Sequence, residues 1–247
     1  MIFLEPGMNY DQVVNALIRH NYQEEFCLSQ SFDTEFIRAL MEAGFLVMSY
    51  ADENDAILMP KLHLERSVLF FNNLHISKSA KRLLARYTLK PFDMVPQIIK
   101  TCVTAHGDDW LTEPLQEAFG KLAWPSAVDA DRNRWMAADN VLPPPSRTFC
   151  SAFGLYRDNT LVAGEFGVVS GGVYTSYSGF FTENGAGTVQ MILTAQYLEK
   201  QGFAFWDLGM PLEYKSALGA VELDRRTFIQ KFRESRAFQP VLPVSRS

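Results

Sequence analysis

The fold is decided in residues 149–181, which read FCSAFGLYRDNTLVAGEFGVVSGGVYTSYSGFF. Apolar, β-branched and aromatic residues form three runs here, and residues typical of tight turns separate them. The runs are Phe149–Tyr156, Leu161–Val169 and Val173–Phe181, and the turns fall at Asp158-Asn159 and Ser170-Gly171-Gly172. Strands joined by such short turns pair with their neighbours in the chain. The sequence therefore predicts an antiparallel meander.

A glycine-rich turn, a helix and one more strand follow the meander. The turn reads NGAG at residues 184–187, the helix is predicted over Val189–Lys200 before Gly202, and the strand over Phe203–Leu208. The predicted buried face of the helix consists of Val189, Ile192, Leu193, Tyr197 and Leu198. This order of elements is the core order of the GNAT (acyl-CoA N-acyltransferase-like) fold, although several α+β folds share it. We therefore expect an α+β protein with a mixed, mainly antiparallel sheet.

Upstream of the meander, the pattern alternates between helices and short extended pieces. Helices are predicted over Phe32–Phe45, Ser77–Tyr87, Phe92–His106 and Glu113–Leu122, and extended segments over Ile57–Phe71. Between Ala123 and Arg147 the periodicity is lost, and Pro143-Pro144-Pro145 favours an extended connection. The sequence thus predicts a small α/β domain over residues 1–73 and a GNAT-like domain over residues 74–247, with an insertion or linker at 123–147.

Composition narrows the classes of protein that remain. The 247 residues are 47% hydrophobic and 13% aromatic, enough for a substantial core. No run approaches the roughly 18 apolar residues of a membrane helix, and Met1–Tyr10 lacks the features of a signal peptide, so we expect a cytoplasmic setting. Cys27, Cys102 and Cys150 form no CxxC pair, which argues against a disulfide framework and a zinc site.

Charge is distributed unevenly along a chain whose net charge is −5. Residues 1–60 are strongly acidic, whereas two later segments are basic. The first basic segment carries Lys78, Lys81, Arg82, Arg86, Lys90 and Lys100, and the second carries Arg225, Arg226, Lys231, Arg233 and Arg236. Either segment can serve an anionic partner, or both can be ordinary solvated helix faces; charge alone leaves this open.

Several short motifs, in order and at matching spacing, carry a resemblance to a known family. They are Leu74–Arg82 (LHISKSAKR), Trp110-Leu111-Thr112, Leu161–Val168, Ser178-Gly179-Phe180, and Ser216–Ala220 ahead of Arg225-Arg226. From about Phe32 to about Arg233, interrupted at 123–147, the chain resembles the leucyl/phenylalanyl-tRNA–protein transferases. The resemblance implies transfer of an apolar amino acid, leucine- or phenylalanine-like, from aminoacyl-tRNA to the N-terminal amine of a protein that begins with Arg or Lys. It also implies tagging for N-end-rule degradation, a monomer without metal or cofactor, and no DNA or membrane partner.

The chain departs from the family's pattern at positions that the family uses. The family's glutamate before Ser178 is Tyr177, and the glutamine two positions after Asp207 is Gly209. Methionines that line the family's amino-acid pocket correspond to Glu165 and Gly179. In the N-terminal domain, a paired tryptophan and SPDPR-like stretch becomes Leu58–Glu65.

The resemblance assigns roles to particular residues, each with a structural alternative. Asp207 would order the attacking amine or a ribose hydroxyl, or else cap the following loop, and Tyr177 would donate to the oxyanion or be an ordinary sheet tyrosine. Trp110 would stack on the terminal adenosine or pack in the core, and Lys78, Lys81, Arg82 and Arg86 would contact acceptor-stem phosphates. The implied aminoacyl pocket consists of Glu165, Tyr174, Ser178, Gly179, Phe180, Leu198, Trp206 and Gly209.

Two other functions remain open from the sequence. Amides of Gly185, Ala186 and Gly187 in the turn at Thr182–Gly187 nearly match a coenzyme A pyrophosphate loop, which favours an acyl-CoA-dependent N-acyltransferase. Thr182 and Glu183 depart from that motif, because the first lacks the usual long polar side chain and the second adds a negative charge. The other alternative is a noncatalytic descendant that binds tRNA or a degron.

Overall fold

A computed structural model describes residues 2–51, 55–92, 94–123 and 148–240. Of the predicted insertion at 123–147, only Ala123 lies among the described residues, so the expectation for Pro143-Pro144-Pro145 falls outside them.

The N-terminal part contains two helices and a hairpin. Helix α1 (Tyr10–Arg19), which the sequence pattern does not predict, begins after Asn9, whose side chain accepts the Gln12 N–H. Helix α2 (Thr34–Glu42) confirms the predicted helix, and the Asp33 carboxylate caps it by accepting the Phe36 N–H at 2.8 Å. Strands β1 (Leu46–Ala51) and β2 (Ala56–Lys61) form the antiparallel hairpin that follows.

The remaining elements build a second, larger sheet and the helices that cover it. In chain order they are β3 (Glu65–Leu69), α3 (Lys78–Leu84), β4 (Thr88–Pro91), α4 (Val95–His106), α5 (Glu113–Lys121), β5 (Thr148–Arg157), β6 (Thr160–Ser170), β7 (Val173–Phe181), α6 (Ala186–Lys200), β8 (Phe205–Asp207), α7 (Glu213–Ala217), β9 (Val221–Asp224) and α8 (Arg225–Ser235).

The larger sheet has seven strands in the order β4-β5-β6-β7-β8-β3-β9. Neighbouring strands are antiparallel except for β7 and β8, which are parallel. The fold is therefore α+β with a mixed, mainly antiparallel sheet, as predicted. Strand β3 lies before the predicted domain boundary at residues 73 and 74, yet it sits inside this sheet between β8 and β9.

The meander predicted from residues 149–181 is confirmed as β5, β6 and β7. Asp158 and Asn159 connect β5 to β6 with φ angles of 50° and 65°. Two residues at positive φ give the tight hairpin turn whose twist matches that of the paired strands.

Helix α6 and strand β8 complete the predicted order. Gly185, at a φ of 81°, precedes the helix, which begins three residues earlier than the sequence pattern indicates. Val189, Ile192 and Leu198 of the predicted face are fully buried, whereas Leu193 and Tyr197 are only partly buried.

Helices cover both faces of the large sheet. Helices α3 and α6 pack on one face, here called the α6 face, and α2, α4, α5 and α8 pack on the other, here called the α8 face. Within the described residues, no helix is both long enough and apolar enough to span a membrane.

Candidate active site

The sheet opens between β7 and β8. Their pairing ends at Thr175 and Asp207, while β7 continues to Phe181 without a partner on that side among the described residues. Beyond Asp207 the chain follows β3 instead, because Leu208 N–H donates to Ser67 O and Ser67 N–H donates to Gly209 O. Openings at the carboxyl ends of diverging parallel strands are common ligand sites in sheets flanked by helices. We therefore take this opening as the candidate site.

On the α6 face, a chain of three side chains crosses the start of the opening. The Trp206 indole N–H donates to Ser176 Oγ at 2.8 Å, and Ser176 Oγ donates to Glu165 Oε2 at 2.9 Å. Glu165 is only 6% exposed, and its Oε1 accepts no hydrogen bond within the described residues. A buried carboxylate is thus held on one side only.

Burial raises the pKa of Glu165 to about 7, while the hydrogen bond from Ser176, the nearby Gln190 amide and the charge of Lys215 act to lower it. The Lys215 ammonium is itself buried, and this lowers its pKa to about 8. Its Nζ donates to the carbonyls of Leu208 and Met210 at 2.6 and 2.7 Å. Lys215 therefore fixes the loop after β8 as well as adding positive charge near Glu165.

Apolar side chains lie exposed on the loop that Lys215 holds. Met210, Leu212 and Tyr214 are 51%, 40% and 56% exposed, respectively. Across the strand pair, Gly179 stands opposite Glu165 and is exposed. Exposed apolar side chains thus lie close in the chain to Lys215, whose charge acts on Glu165.

On the α8 face, Asp207 is held by three donors. Arg66 Nη1 and Thr175 Oγ1 donate to its Oδ2 at 2.6 and 3.0 Å, and the Gly209 N–H donates to its Oδ1 at 2.9 Å. The Arg66 guanidinium also donates to Gly44 O at 3.1 Å and lies over the Phe228 ring. A cavity of about 10 Å³ borders this cluster, room for about one water molecule.

Tyr177 borders the same cavity and belongs to an aromatic cluster. Its hydroxyl oxygen accepts the Val47 N–H at 3.0 Å, and its ring contacts those of Trp110, Phe119 and Phe166. Burial raises the pKa of Tyr177 above its ordinary value, so the hydroxyl stays protonated. Trp110 is partly buried in this cluster, and its stacking on adenosine stays a prediction.

The structure divides the predicted pocket between the two faces. Glu165, Tyr174, Leu198 and Trp206 lie on the α6 face, where Tyr174 and Leu198 are fully buried in the core. Phe180 packs in the core cluster of the α8 face, which also contains residues of helix α4. The Ser178 side chain is hydrogen-bonded to Cys102 of that helix. Gly209 is buried and joined to Asp207. Of this set, Glu165, Gly179 and Trp206 lie beside the opening on the α6 face.

Four cations of the first basic segment face solvent at α3. Lys78, Lys81, Arg82 and Arg86 are exposed on or just after α3, which packs against α6 through its opposite side. The Leu83 side chain lies next to Gly185, so α3 stands at the start of α6. In the glycine turn, Glu183 forms an ion pair with Arg157 at 2.6 Å and accepts the Tyr87 hydroxyl at 3.3 Å.

The second basic segment is largely occupied by internal contacts. Arg225 is buried, and its guanidinium donates to the carbonyls of Tyr22, Glu24, Leu62 and His63. Arg233 and Arg236 both form ion pairs with Asp11 at 3.2 Å. These three arginines are therefore held largely by the protein itself, and an anionic partner at the second basic segment stays a prediction.

Sequence reasoning did not single out Arg66, Ser176 or Lys215. Arg66 carries a sequence signal, since it directly precedes the run SVLF in a predicted extended segment, where a charged side chain that becomes buried needs a partner. Ser176 and Lys215 carry no such signal, because serine and lysine are ordinary surface residues in most sequences.

Part of this chain is similar to a family of known proteins. Residues 146–233 match the family model described as leucyl/phenylalanyl-tRNA protein transferase. The relative from Pseudomonas fluorescens is 25% identical over 168 residues, 66% of this chain and 65% of its own length. The relative from Maridesulfovibrio salexigens is 25% identical over 198 residues, 76% of this chain and 72% of its own length. Both carry the name leucyl/phenylalanyl-tRNA–protein transferase.

These matches confirm the resemblance to leucyl/phenylalanyl-tRNA–protein transferases that the sequence indicates. The match to the first of these relatives spans less than two thirds of that relative's length.

Among solved structures, the likeness is distant. FemX gives a TM-score of 0.43 at 10% identity, covering 90% of this chain and 78% of its own. The C-terminal domain of a putative lysylphosphatidylglycerol synthetase from Agrobacterium fabrum gives 0.40 at 10% identity, covering 95% and 68%. A GCN5-related N-acetyltransferase from Kribbella flavida gives 0.36 at 12% identity, covering 89% and 74%.

Proposed function

We propose that this protein is an aminoacyltransferase that moves an aminoacyl group from tRNA to the N-terminal amine of an acceptor protein. The observation that carries the proposal is the family match over residues 146–233. That segment contains the meander, α6 and β8, and so both sides of the opening and the side chains of Glu165, Ser176, Tyr177 and Asp207. The part of the chain that matches is the part that forms the candidate site.

The reaction asks for positioning more than for strong acid–base chemistry. The amine nitrogen attacks the ester carbonyl, the carbon–oxygen bond to the ribose breaks, and the nitrogen loses a proton as the ribose hydroxyl leaves. Because the ester is already activated, the proposal calls for no metal and no cofactor. The protein has to hold both substrates, orient the amine and stabilise the oxyanion.

The tRNA acceptor stem would lie along α3. Lys78, Lys81, Arg82 and Arg86 are exposed there, and α3 packs on α6, on the same face as Glu165. Phosphates bound to this helix would bring the 3′ end of the stem towards the opening between β7 and β8. Such contacts read charge and shape rather than base sequence.

Asp207 and Tyr177 would act in different ways. Both carboxylate oxygens of Asp207 already accept hydrogen bonds, so we propose that it positions the end of β8 rather than removing a proton from the amine. The Tyr177 oxygen accepts from Val47 on the α8 face, so its own O–H would have to reach the oxyanion from that face, through the opening between β7 and β8. Its raised pKa excludes a role as a base near neutral pH.

The biological setting follows from the same proposal. An acceptor that begins with Arg or Lys would receive the new residue and be tagged for degradation by the N-end rule. The reaction would take place in the cytoplasm, with the protein acting as a monomer and without a DNA or membrane partner.

The acyl-CoA alternative has less support. A pyrophosphate on the amides of Gly185–Gly187 would lie in the same turn as the negatively charged Glu183. The nearby cation, Arg157, already forms an ion pair with Glu183. We therefore keep acyl-CoA as an outcome of the test and not as a second proposal.

A single-turnover assay with a panel of charged tRNAs and a peptide that begins with Arg tests the proposal. The leucyl and phenylalanyl groups named for the relatives are the first donors, followed by polar ones. Transfer to the peptide amine supports the proposal. Consumption of acetyl-CoA without transfer from any tRNA would overturn it in favour of an acyl-CoA enzyme. Salt-sensitive tRNA binding without either reaction would indicate a noncatalytic binding protein.

A further inference from the structure

Glu165 is an unusual residue for the middle of a central strand. It lies in β6 among apolar neighbours and is 6% exposed, and burial of a carboxylate is costly unless it is paired or hydrogen-bonded. Ser176 Oγ satisfies Oε2, but Oε1 has no hydrogen-bond partner within the described residues. One buried acceptor therefore remains to be filled.

The polar groups around this carboxylate give no hydrogen bond to Oε1 within the described residues. Lys215 Nζ donates to two backbone carbonyls, and no ion pair joins it to Glu165 in the part of the chain that the structure describes. Gln190, which lies near enough to lower the pKa of Glu165, donates an amide N–H to Thr194 Oγ1 at 2.9 Å. Arg66 is committed to Asp207 on the other face. The protein's own cations thus leave Oε1 to an outside donor.

Glu165 lies next to exposed backbone. Its cross-strand partner Gly179 is exposed and has no side chain, and a Cβ there would stand 3.1 Å from the Cβ of Glu165. The nearby loop contributes the exposed apolar side chains of Met210, Leu212 and Tyr214. Glu165 thus combines a buried, unpartnered acceptor with neighbouring exposed backbone and exposed apolar side chains.

We infer that the aminoacyl group bound here has a side chain that donates a hydrogen bond, and that Glu165 selects it. This inference rests on the proposed function, because it names the side chain that the proposed transferase accepts. A purely apolar side chain would leave Oε1 buried without a partner. Sites built around a buried polar group discriminate against ligands that cannot pair with it.

The experiment compares kcat/KM for transfer from tRNAs charged with Leu, Phe, Gln, Thr and Lys to a peptide that begins with Arg. The wild-type chain is tested beside Glu165→Met, Glu165→Gln and the control Glu222→Met, which changes an exposed glutamate on β9. We expect the wild type to prefer donor-bearing side chains over Leu and Phe by about tenfold or more. Glu165→Met should reverse that preference, and Glu222→Met should leave it unchanged.

Glu165→Gln separates two kinds of donor. Its amide oxygen still accepts from the neutral Gln and Thr side chains but no longer offers a charge to Lys, so loss of Lys transfer alone would identify a cationic substrate. Because Gln matches Glu in shape, this variant also decides the question if Glu165→Met does not fold. A wild type that prefers Leu or Phe, with a ratio unchanged in the Glu165 variants, would overturn the inference and leave the proposed function standing. Absence of transfer from every charged tRNA by the folded wild type would overturn both.

Discussion

Arg66 and Asp207 form a buried ion pair between neighbouring strands, with Nη1 and Oδ2 2.6 Å apart and side chains only 2% and 1% exposed. Val68 is the direct partner of Asp207 in the sheet, so Arg66 reaches the carboxylate diagonally from β3. The pair binds the last residue of β8 to β3 at the point where β8 leaves β7. It therefore helps to hold the candidate site open.

Asp207→Asn should lower the free energy of unfolding by roughly 3–5 kcal/mol, because it leaves the Arg66 charge buried without its partner. Urea unfolding measures this, with the exposed Asp109→Asn as the control. Adding Arg66→Met to Asp207→Asn should recover part of the loss, since no unpaired charge then remains. Equal stability of Asp207→Asn and wild type would contradict the assignment. Preserved turnover in the folded variant would show that the carboxylate is structural.

Glu165 should give stability a pH dependence of known sign. Its pKa is raised from 4.5 to about 7 in the folded protein, so the folded state holds the proton more tightly than the unfolded state. The stabilisation is complete below pH 4.5 and is lost as the pH rises through 7, to a total of about 3 kcal/mol. The difference in unfolding free energy between wild type and Glu165→Gln, measured from pH 4 to 8, isolates this effect. A difference that does not vary with pH would show that Glu165 is not protonated on folding.

The exposed cations of α3 should govern the salt dependence of tRNA binding. Lys81→Ala or Arg82→Ala should each reduce the slope of log Kd against log salt concentration by about 1, because one phosphate contact is lost. Lys200→Ala is the matched control, since Lys200 is exposed at the other end of α6. If the slope is the same in all three variants, α3 is not on the phosphate path.

Tyr177→Phe should affect both stability and turnover. It removes the acceptor of the Val47 N–H, at a cost of about 1–3 kcal/mol in unfolding free energy. If the hydroxyl donates to the oxyanion, kcat for aminoacyl transfer should fall by about 10²-fold or more, with little change in KM. Tyr50→Phe, on the exposed side of β1, serves as the comparison. A kcat within threefold of wild type would reject the oxyanion role.

Arg225→Lys should destabilise the protein by roughly 2–4 kcal/mol although it keeps the charge. The guanidinium of Arg225 joins the start of α8 to carbonyls of the N-terminal part, and an ammonium cannot reach them all. The exposed neighbour Arg226→Lys should change stability by no more than about 0.5 kcal/mol. Thermal unfolding of both variants provides the measurement. Equal shifts would mean that the Arg225 contacts contribute nothing particular to stability.

The amino-acid sequence by itself determined the meander, the glycine turn, α6 and β8. Each depends on neighbours along the chain: alternating strand residues, turn residues such as Asp158-Asn159, and a buried helical face that includes Val189 and Ile192. These preferences act over a few residues and can be recognised without the rest of the molecule. Helix α1 was missed even though Val14 and Leu17 pack one turn apart, and β3 could not be assigned to the large sheet because its partners lie more than a hundred residues away.

Only the tertiary structure decided which candidate residues work together. Arg225 and Lys81 are both cations in basic segments, yet one is buried on carbonyls and the other faces solvent. Asp207 and Glu165 are both carboxylates of the predicted site, yet they lie on opposite faces of the sheet with different partners. Hydrogen bonding and burial depend on residues far apart in the chain, such as Arg66 and Asp207. A sequence pattern specifies which groups are present, whereas the pairing of strands and the packing of helices specify which of them meet.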